Sequence, residues 1–460
     1  MKRTVLLILF STLFSGCLVG PKFSKPTANY PASYRFSEEG KTDSITTLKW
    51  SELYQDTVLQ SLIQKALKEN KDMLIAMSKI SQARAMAGYS KADLFPSLGY
   101  AGKVGHMDLS NNNANEIGGG APRDILYGMG TLSWELDLWG KVRHSNRAAV
   151  ADLMAMEENQ RAITTSLIAE VASMYFQLRG LDERLQIAQR TVTFRQQSLD
   201  LITLRFKGGE VGELDKFQAE AQLSIAETLV PSFQRQIGQT ENALSLLIGV
   251  APSTIHRGLA NSAQQFPLSI PAGIPSSLLR RRPDVRQAEQ AWIAQNERIG
   301  VAQAQRFPSI SLTGFLGLGS QDLNTILSSD AGMWYLAGSL TGPLFNFGKN
   351  KKRVQIEKAK TEQVKLQYEK AVLTAFADVE NALVSVETYK REFQARTRQL
   401  DASTGTSRLS RARYNEGYTN FLEVLDSERT LLDTELQASQ TLEQQLRATV
   451  LLYKALGGGW

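Results

Sequence analysis

The sequence predicts a mainly α-helical chain with a β-barrel part, built as two copies of one unit. Three observations predict it. From Val142 to Lys207 run 66 residues with no proline and a single glycine, Gly180. Within that run Leu167, Val171, Met174, Leu178, Leu181, Leu185, Ala188 and Val192 recur at steps of four and three, an average near 3.5 that marks a supercoiling helix. Just before it, Leu132, Trp134, Leu136 and Leu138 alternate with Ser133, Glu135 and Asp137, the period of a strand with one apolar and one polar face. At about 1.5 Å per residue the helix would reach roughly 100 Å, far longer than ordinary globular helices. A coiled coil with a small sheet attached satisfies this stretch equally well, so the rest of the chain must decide.

The 460 residues are 42% hydrophobic and 21% charged, as in ordinary folded proteins. The formal charge is +6, falling to +4 once Lys2 and Arg3 leave with an N-terminal signal. Basic residues are interleaved with acids, which reads as a solvated face and argues against a nucleic-acid partner. One cysteine excludes an internal disulfide, and three scattered histidines (His106, His144, His256) offer no metal site. No nucleophile–base set or phosphate loop stands out, so neither a catalytic residue nor a cofactor is expected.

Residues 1–16 have the layout of a secretion signal: Met-Lys-Arg, then apolar Val5 to Phe10, then small residues before Cys17. Leu13-Phe14-Ser15-Gly16-Cys17 resembles the bacterial lipobox, although Leu13 is one place off the commonest spacing. That resemblance implies that Cys17 becomes the first mature residue and carries acyl chains. Leu18, where an Asp would signal inner-membrane retention, favours outer-membrane sorting. Residues 17–49, with Pro21, Pro26 and Pro31, read as a lipid-anchored extended tether.

The repeat is explicit. Phe95-Pro96-Ser97-Leu98 returns as Phe307-Pro308-Ser309-Ile310, and Asp72 as Asp284, both at an offset of 212. Leu138-Trp139-Gly140-Lys141 returns as Asn346-Phe347-Gly348-Lys349 at 208, as do Arg205, Gly209 and Leu214 in Arg413, Gly417 and Leu422. The difference falls in the Gly- and Asn-rich loops between the strands of each unit. The first unit is expected over 50–249, with strands about 97–106 and 128–139 and long helices 142–207 and 214–248. A Pro-rich linker follows at 250–282. The second unit covers 283–460, with strands about 309–318 and 334–345 and long helices 349–415 and 421–456.

Four strands of about ten residues, apolar on one side, match bilayer-spanning strands in length and pattern. An open sheet in lipid leaves edge N–H and C=O groups unpaired at several kcal/mol each. The smallest closed membrane barrels need about eight strands, so a barrel would be shared between copies. Trp134, Trp139 and Trp334 suit an interfacial aromatic belt. A soluble sandwich with one wet face fits the strands too, and the secretion signal shifts the weight toward a membrane. The matched turns, Arg205 to Gly209 and Arg413 to Gly417, end the long helices with glycine and lie where another protein could meet them.

Together the lipobox, the duplicated Phe-Pro-Ser strand starts, Leu-Trp-Gly-Lys, Arg413-Tyr414-Asn415-Glu416-Gly417-Tyr418 and the ending from Leu452 to Trp460 resemble the TolC-like outer-membrane factors of bacterial tripartite efflux systems, specifically their lipoprotein branch. The resemblance implies a homotrimer in which four transmembrane strands per chain close a 12-stranded barrel and four long periplasmic helices per chain form an α-helical tunnel. It implies a cell outer-membrane location, docking of a periplasmic adaptor (a membrane fusion protein) at the turns, and an inner-membrane pump, commonly of the resistance-nodulation-division class. It also maps the periplasmic gate onto Leu422, Asp426 and Arg429, whose spacing of four and three puts them on one helical face. The same scaffold could serve type I protein secretion, and a structural coiled-coil lipoprotein spacing the outer membrane is the alternative from another class.

Overall fold

The computed structural model describes residues 18–25, 33–36, 49–107, 123–264 and 275–458. The signal segment, Cys17, much of the tether and the tip loop before Arg123 lie outside them. In chain order the elements are α1 (Trp50–Leu53), α2 (Thr57–Glu69), α3 (Lys71–Ala92), β1 (Ser97–Met107), β2 (Arg123–Leu136), α4 (Lys141–Lys207) and α5 (Glu213–Leu247). They continue with α6 (Pro275–Arg281), α7 (Pro283–Ala304), β3 (Ser309–Ser320), β4 (Gly332–Thr341), α8 (Lys349–Asn415) and α9 (Phe421–Ala455). None of the described helices is long and apolar enough to cross a membrane. The chain divides into two compact units, each drawing segments from both sequence repeats.

The first unit (1–27, 79–156 and 287–369) holds the sheet. Its strands pair in sequence order, β1-β2-β3-β4, all antiparallel. The register aligns Tyr100, Gly130, Leu316 and Trp334 across the four strands, and Leu98, Leu132, Gly314 and Leu336 beside them. Because side chains alternate with period two, the same face carries Val104, Leu126, Trp134, Leu312, Ile310 and Leu340. On the two outer strands its apolar side chains stand exposed (Tyr100 is 95% accessible, Leu98 81% and Trp334 76%), while Leu132, Trp134, Ile310 and Leu312 are half-buried and Leu126 is buried. Ser97, Ser133, Thr313, Ser311 and Ser339 lie on the opposite face, where the Ser311 and Ser339 hydroxyls meet at 2.7 Å. At Gly317 a Cβ would fall 2.2 Å from the Gly128 carbonyl oxygen, so only glycine lets β2 and β3 approach this closely there.

Two strands end earlier than their alternation suggests. β2 stops at Leu136 because the Asp137 carboxylate turns to accept from the amides of Val142 (3.0 Å) and Arg143 (2.9 Å), capping α4. β4 stops at Thr341: Gly342 lies against Pro308 and Pro343 has no N–H to donate. Three helices precede β1. Asp56 caps α2, and Asn70 closes it and accepts from Met73 N in α3 at 3.0 Å.

Residues 18–25 have no regular secondary structure and are packed on this unit. Val19 N donates to Trp139 O (3.2 Å), Asn296 Nδ2 donates to Pro21 O (3.2 Å), and the Phe23 ring meets Trp292 edge-on at 4.8 Å. Lys25 pairs with Glu289 at 2.7 Å. A Cβ on Gly20 would fall 2.7 Å from Nε2 of the buried His144, whose Nδ1 lies 2.5 Å from Glu297.

The second unit (28–78, 157–286 and 370–460) is helical. Leu167, Val171, Leu178, Leu181 and Ala188 of α4 are buried, as the heptad spacing requires, with Met174, Leu185 and Val192 half-buried. Tyr175 and Phe176 widen that stripe. The buried Asp56 gathers Tyr175 OH (2.9 Å), Leu259 N (2.8 Å) and Gln264 Nε2 (3.0 Å) besides the α2 amides. Burial opposes its charge, but these bonds outweigh burial and hold the carboxyl below its ordinary range. These bonds tie Leu259 and Gln264 to Asp56. Arg257 adds a fork to Asp182 (2.9 and 3.1 Å) and a bond to Glu241 (2.5 Å).

Candidate functional site: the matched turns and α9

Both long helices end in the same local geometry. Gly209 and Gly417 have φ of +75° and +77°, the left-handed region where glycine is favoured. Glu210 N donates to Arg205 O (3.0 Å), and Tyr418 N to Arg413 O (2.8 Å), closing the last turns. Asn420 caps α9 by accepting from Glu423 N at 3.1 Å. Ile202, Ala219, Phe421, Val424 and Leu425 form one buried cluster with Leu199, Val211 and Tyr414 packed on it. The Arg205 guanidinium lies 5.1 Å over the Tyr414 ring, so the two turns meet. Arg413 stands 3.9 Å from Glu423, a loose exposed pair.

Leu422, Asp426 and Arg429 lie on the outward face of α9. Leu422 is 58% accessible, and Asp426 and Arg429 pair at 2.7 Å with both side chains largely in water. Such a pair is worth a few tenths of a kcal/mol.

Sequence reasoning missed the charges behind this face. Glu428 is buried and bonds Arg411 at 2.6 Å; Arg411 also lies 3.5 Å over the Phe194 ring and donates to Ser198 Oγ at 3.1 Å. Arg195, buried nearby, donates to the Gln222 carbonyl. Burial pushes the Glu428 carboxyl above its ordinary range against the pull of Arg411 and Arg195, and lowers the Arg195 guanidinium against the pull of Glu428. Further along, Arg190 meets Glu435 at 2.5 Å and Arg184 meets Glu443 at 2.7 Å. Arg184 and Arg190 on α4 thus face Glu443 and Glu435 on α9 in opposite order, an ionic ladder between antiparallel helices. The signal for Glu428 was present: it falls in the apolar spacing of Val424, Leu425 and Leu432.

The three tryptophans are not alike. Trp334 is exposed on the apolar face. Trp134 Nε1 donates to Leu94 O (3.1 Å), and Trp139 Nε1 donates to Pro308 O (2.8 Å) while its ring stacks on Phe307 at 4.7 Å. Among the described residues no group of three His, Cys, Asp or Glu side chains could hold a metal ion.

A one-sided apolar sheet joined to long paired helices is the protomer of a membrane channel. The chain belongs to the outer membrane efflux protein family, whose model matches residues 62–250 and 274–458. It is 32% identical over 462 residues to the solvent efflux pump outer membrane protein SrpC of Pseudomonas putida, covering 97% of this chain and 96% of the relative. It is 30% identical over 449 residues to the cation efflux system protein CusC of Escherichia coli K12, covering 97% of each. Among solved structures, the open-state MtrE channel of Neisseria gonorrhoeae superposes with a TM-score of 0.87 at 31% identity, covering 96% of this chain and 98% of that one. The CmeC outer membrane channel of Campylobacter jejuni gives 0.91 at 25% identity, covering 96% and 95%. The protein is accordingly an outer-membrane channel of an efflux pump, and its relatives are channel components, not enzymes.

Proposed function

We propose that three copies of this chain close their sheets edge to edge into one twelve-stranded barrel, with the helices continuing it as a periplasmic tunnel. The channel then conducts passively what an inner-membrane pump and a periplasmic adaptor deliver. The observation that carries this is the sheet itself: one face is apolar, with Leu98, Tyr100, Trp334 and Leu336 exposed, and its edges β1 and β4 belong to opposite strand directions. Four antiparallel strands place β4 of one copy antiparallel to β1 of the next, so a ring forms without breaking the pairing rule.

In this reading Cys17 carries the lipid, Trp134, Trp139 and Trp334 lie at the membrane boundary, and the turns at Arg205, Gly209, Arg413 and Gly417 receive the adaptor. Leu422, Asp426 and Arg429 line the resting constriction. Three Asp426 carboxylates around one axis would favour cations and require cationic neighbours, and Arg429 supplies one at 2.7 Å. The test is the mass of the detergent-solubilised full chain by light scattering, together with its conductance in planar bilayers. A trimer that passes ions is expected; a stable monomer that passes none overturns the proposal. Loss of radioactive fatty-acid labelling in Cys17→Ser tests the anchor separately.

A further inference from the structure

Inside the chain, α7 of the second repeat meets α4 of the first. Glu297 meets His144 at 2.5 Å, Arg298 meets Asp152 at 2.5 Å, and Arg286 meets Glu158 at 2.7 Å. On α4 the stripe His144, Ala148, Ala151, Ala155 and Glu158, spaced by four and three, is buried. Its counterparts on α8, 208 residues on, are Lys352, Ile356, Ala359, Gln363 and Leu366, and all five are exposed. The partner helices differ in the same way. Gly300 of α7 is buried, and a Cβ there would fall 2.6 Å from the His144 ring; its counterpart on α3, 212 residues back, is Gly88, which is exposed with nothing within 4 Å. One surface thus occurs twice, once covered and once open.

The sheet obeys the same offsets. Ser97 opposite Ser133 in the first hairpin becomes Ser309 opposite Thr341 in the second, and Tyr100 opposite Gly130 becomes Leu312 opposite Gly338. The inner seam between β2 and β3 can be carried over likewise. Thr131 opposite Phe315 becomes Ser339 opposite Lys103, which lie on the two outer strands. Trp139 stacked on Phe307 at 4.7 Å becomes Phe347 over Phe95, which are 91% and 63% accessible in one chain.

We infer that the contact between copies repeats the contact between repeats. The next copy lays β1 on β4 with its Lys103 opposite Ser339, its Phe95 on Phe347, and its α3 along the open stripe of α8. This rests on the proposed ring and adds its register. The chemistry of the two contacts differs. Where the inner one has Arg286–Glu158, Glu297–His144 and Arg298–Asp152, the outer one sets Leu74 of the next copy opposite Leu366, its Ala85 opposite Lys352 and its Met86 opposite Lys360. Leu74, Leu366 and Met86 are 41%, 53% and 59% accessible in one chain. No opposite charges face each other at these three places, and lysine stems lie along apolar neighbours, so apolar burial holds the copies together there.

The test is disulfide formation in the full chain in detergent, read on a non-reducing denaturing gel beside the mass by light scattering. Ser339→Cys/Lys103→Cys is expected to give a covalent trimer. The bond cannot close within one copy, where β1 and β4 are three strand spacings, about 14 Å, apart. Ser339→Cys/Ala101→Cys, shifted to a diagonal neighbour about 7–8 Å away, should give far less. A preference for the shifted pair, or no bond from either in a protein that stays trimeric, overturns this register and leaves the ring standing; a monomeric mass overturns both. Along the helices, Leu74→Arg and Leu366→Glu should each lower the temperature at which the trimer dissociates. Together they should restore it, by rebuilding the Arg286–Glu158 pair between copies. Additive losses, or no loss from either, overturn the helical half of the proposal.

Discussion

A Cβ on Gly180 would stand 2.7 Å from a carboxylate oxygen of Glu443 and 3.3 Å from its Cβ. The one glycine in the long helix α4 therefore exists to admit this buried side chain, which bonds Arg184 at 2.7 Å and Arg447 at 3.2 Å.

That relationship gives a signed prediction. In an exposed helix Gly→Ala would gain about 1 kcal/mol. Here Gly180→Ala displaces Glu443 from Arg184, and breaking a buried pair costs about 3–5 kcal/mol, so a net loss of about 2 kcal/mol is expected. Adding Glu443→Ala should remove most of the penalty of the glycine change, and a double-mutant cycle on apparent unfolding temperature reads that coupling.

Asp56 should make the protein acid-sensitive. Its folded carboxyl titrates below the unfolded one, so its contribution is complete above the ordinary carboxylate pKa near 4 and is lost as pH falls through the lowered folded value. Asp56→Asn is expected to cost about 2 kcal/mol at neutral pH. It should also flatten the fall in unfolding temperature below about pH 4, measured as a temperature-by-pH series on both proteins.

Glu428 has the opposite sign. Its folded carboxyl titrates above the unfolded one, so its charge costs stability at neutral pH, and the cost is relieved as pH falls toward the ordinary carboxylate range. Glu428→Gln should change stability by less than about 1 kcal/mol, whereas Arg411→Met, leaving the buried acid without its bonded partner and with only the field of Arg195, should cost about 2 kcal/mol after allowance for the solvent that reaches Arg411. Chemical denaturation midpoints at pH 5 and pH 8 distinguish the two variants.

At the proposed constriction, Asp426→Ala with Arg429→Ala should raise single-channel conductance. Because the pair is solvent-exposed, stability should move by under about 0.5 kcal/mol. Identical conductance in planar bilayers would remove these residues from the gate.

Gly20→Val should lift the segment Leu18 to Lys25 off the first unit, since even one Cβ there meets the His144 ring and the Gly300 Cα. Faster tryptic cleavage after Lys22 in the folded protein is the expected readout.

Much of this molecule was legible because its periods are unmixed. The alternation in Leu132 to Leu136 and in Ile310 to Leu318 reports a face, and the spacing from Leu167 to Ala188 reports a buried stripe, without knowledge of any partner. Strand ends were not legible. Asp137 reads as one more polar strand residue until its carboxylate is seen to cap α4, and Pro343 hides the earlier stop at Thr341. The turns were readable from Gly209 and Gly417, since a helix stop is local chemistry. The partners of Glu428 and Asp56 were not: the apolar spacing around Glu428 signals burial, but a charge there looks like an interruption until its partner is folded against it, 17 residues away at Arg411, or for Asp56 119 away at Tyr175. The segment after Cys17 carries prolines and no period, and its contacts with Trp139, Trp292 and Asn296 come from far along the chain.

The pairing of β2 with β3 joins one sequence repeat to the other inside a single sheet. Going round a closed ring, hairpins from the first and second repeats therefore alternate, and every seam between neighbouring hairpins, covalent or not, brings opposite repeats together. Three chains present six hairpins, and a chain half as long would need six copies to enclose the same bore. Doubling the gene thus frees the two kinds of hairpin to diverge, so that a ring of near-sixfold shape can bear features, such as the basic run Lys349 to Arg353 at the start of α8, at only three of its six stations.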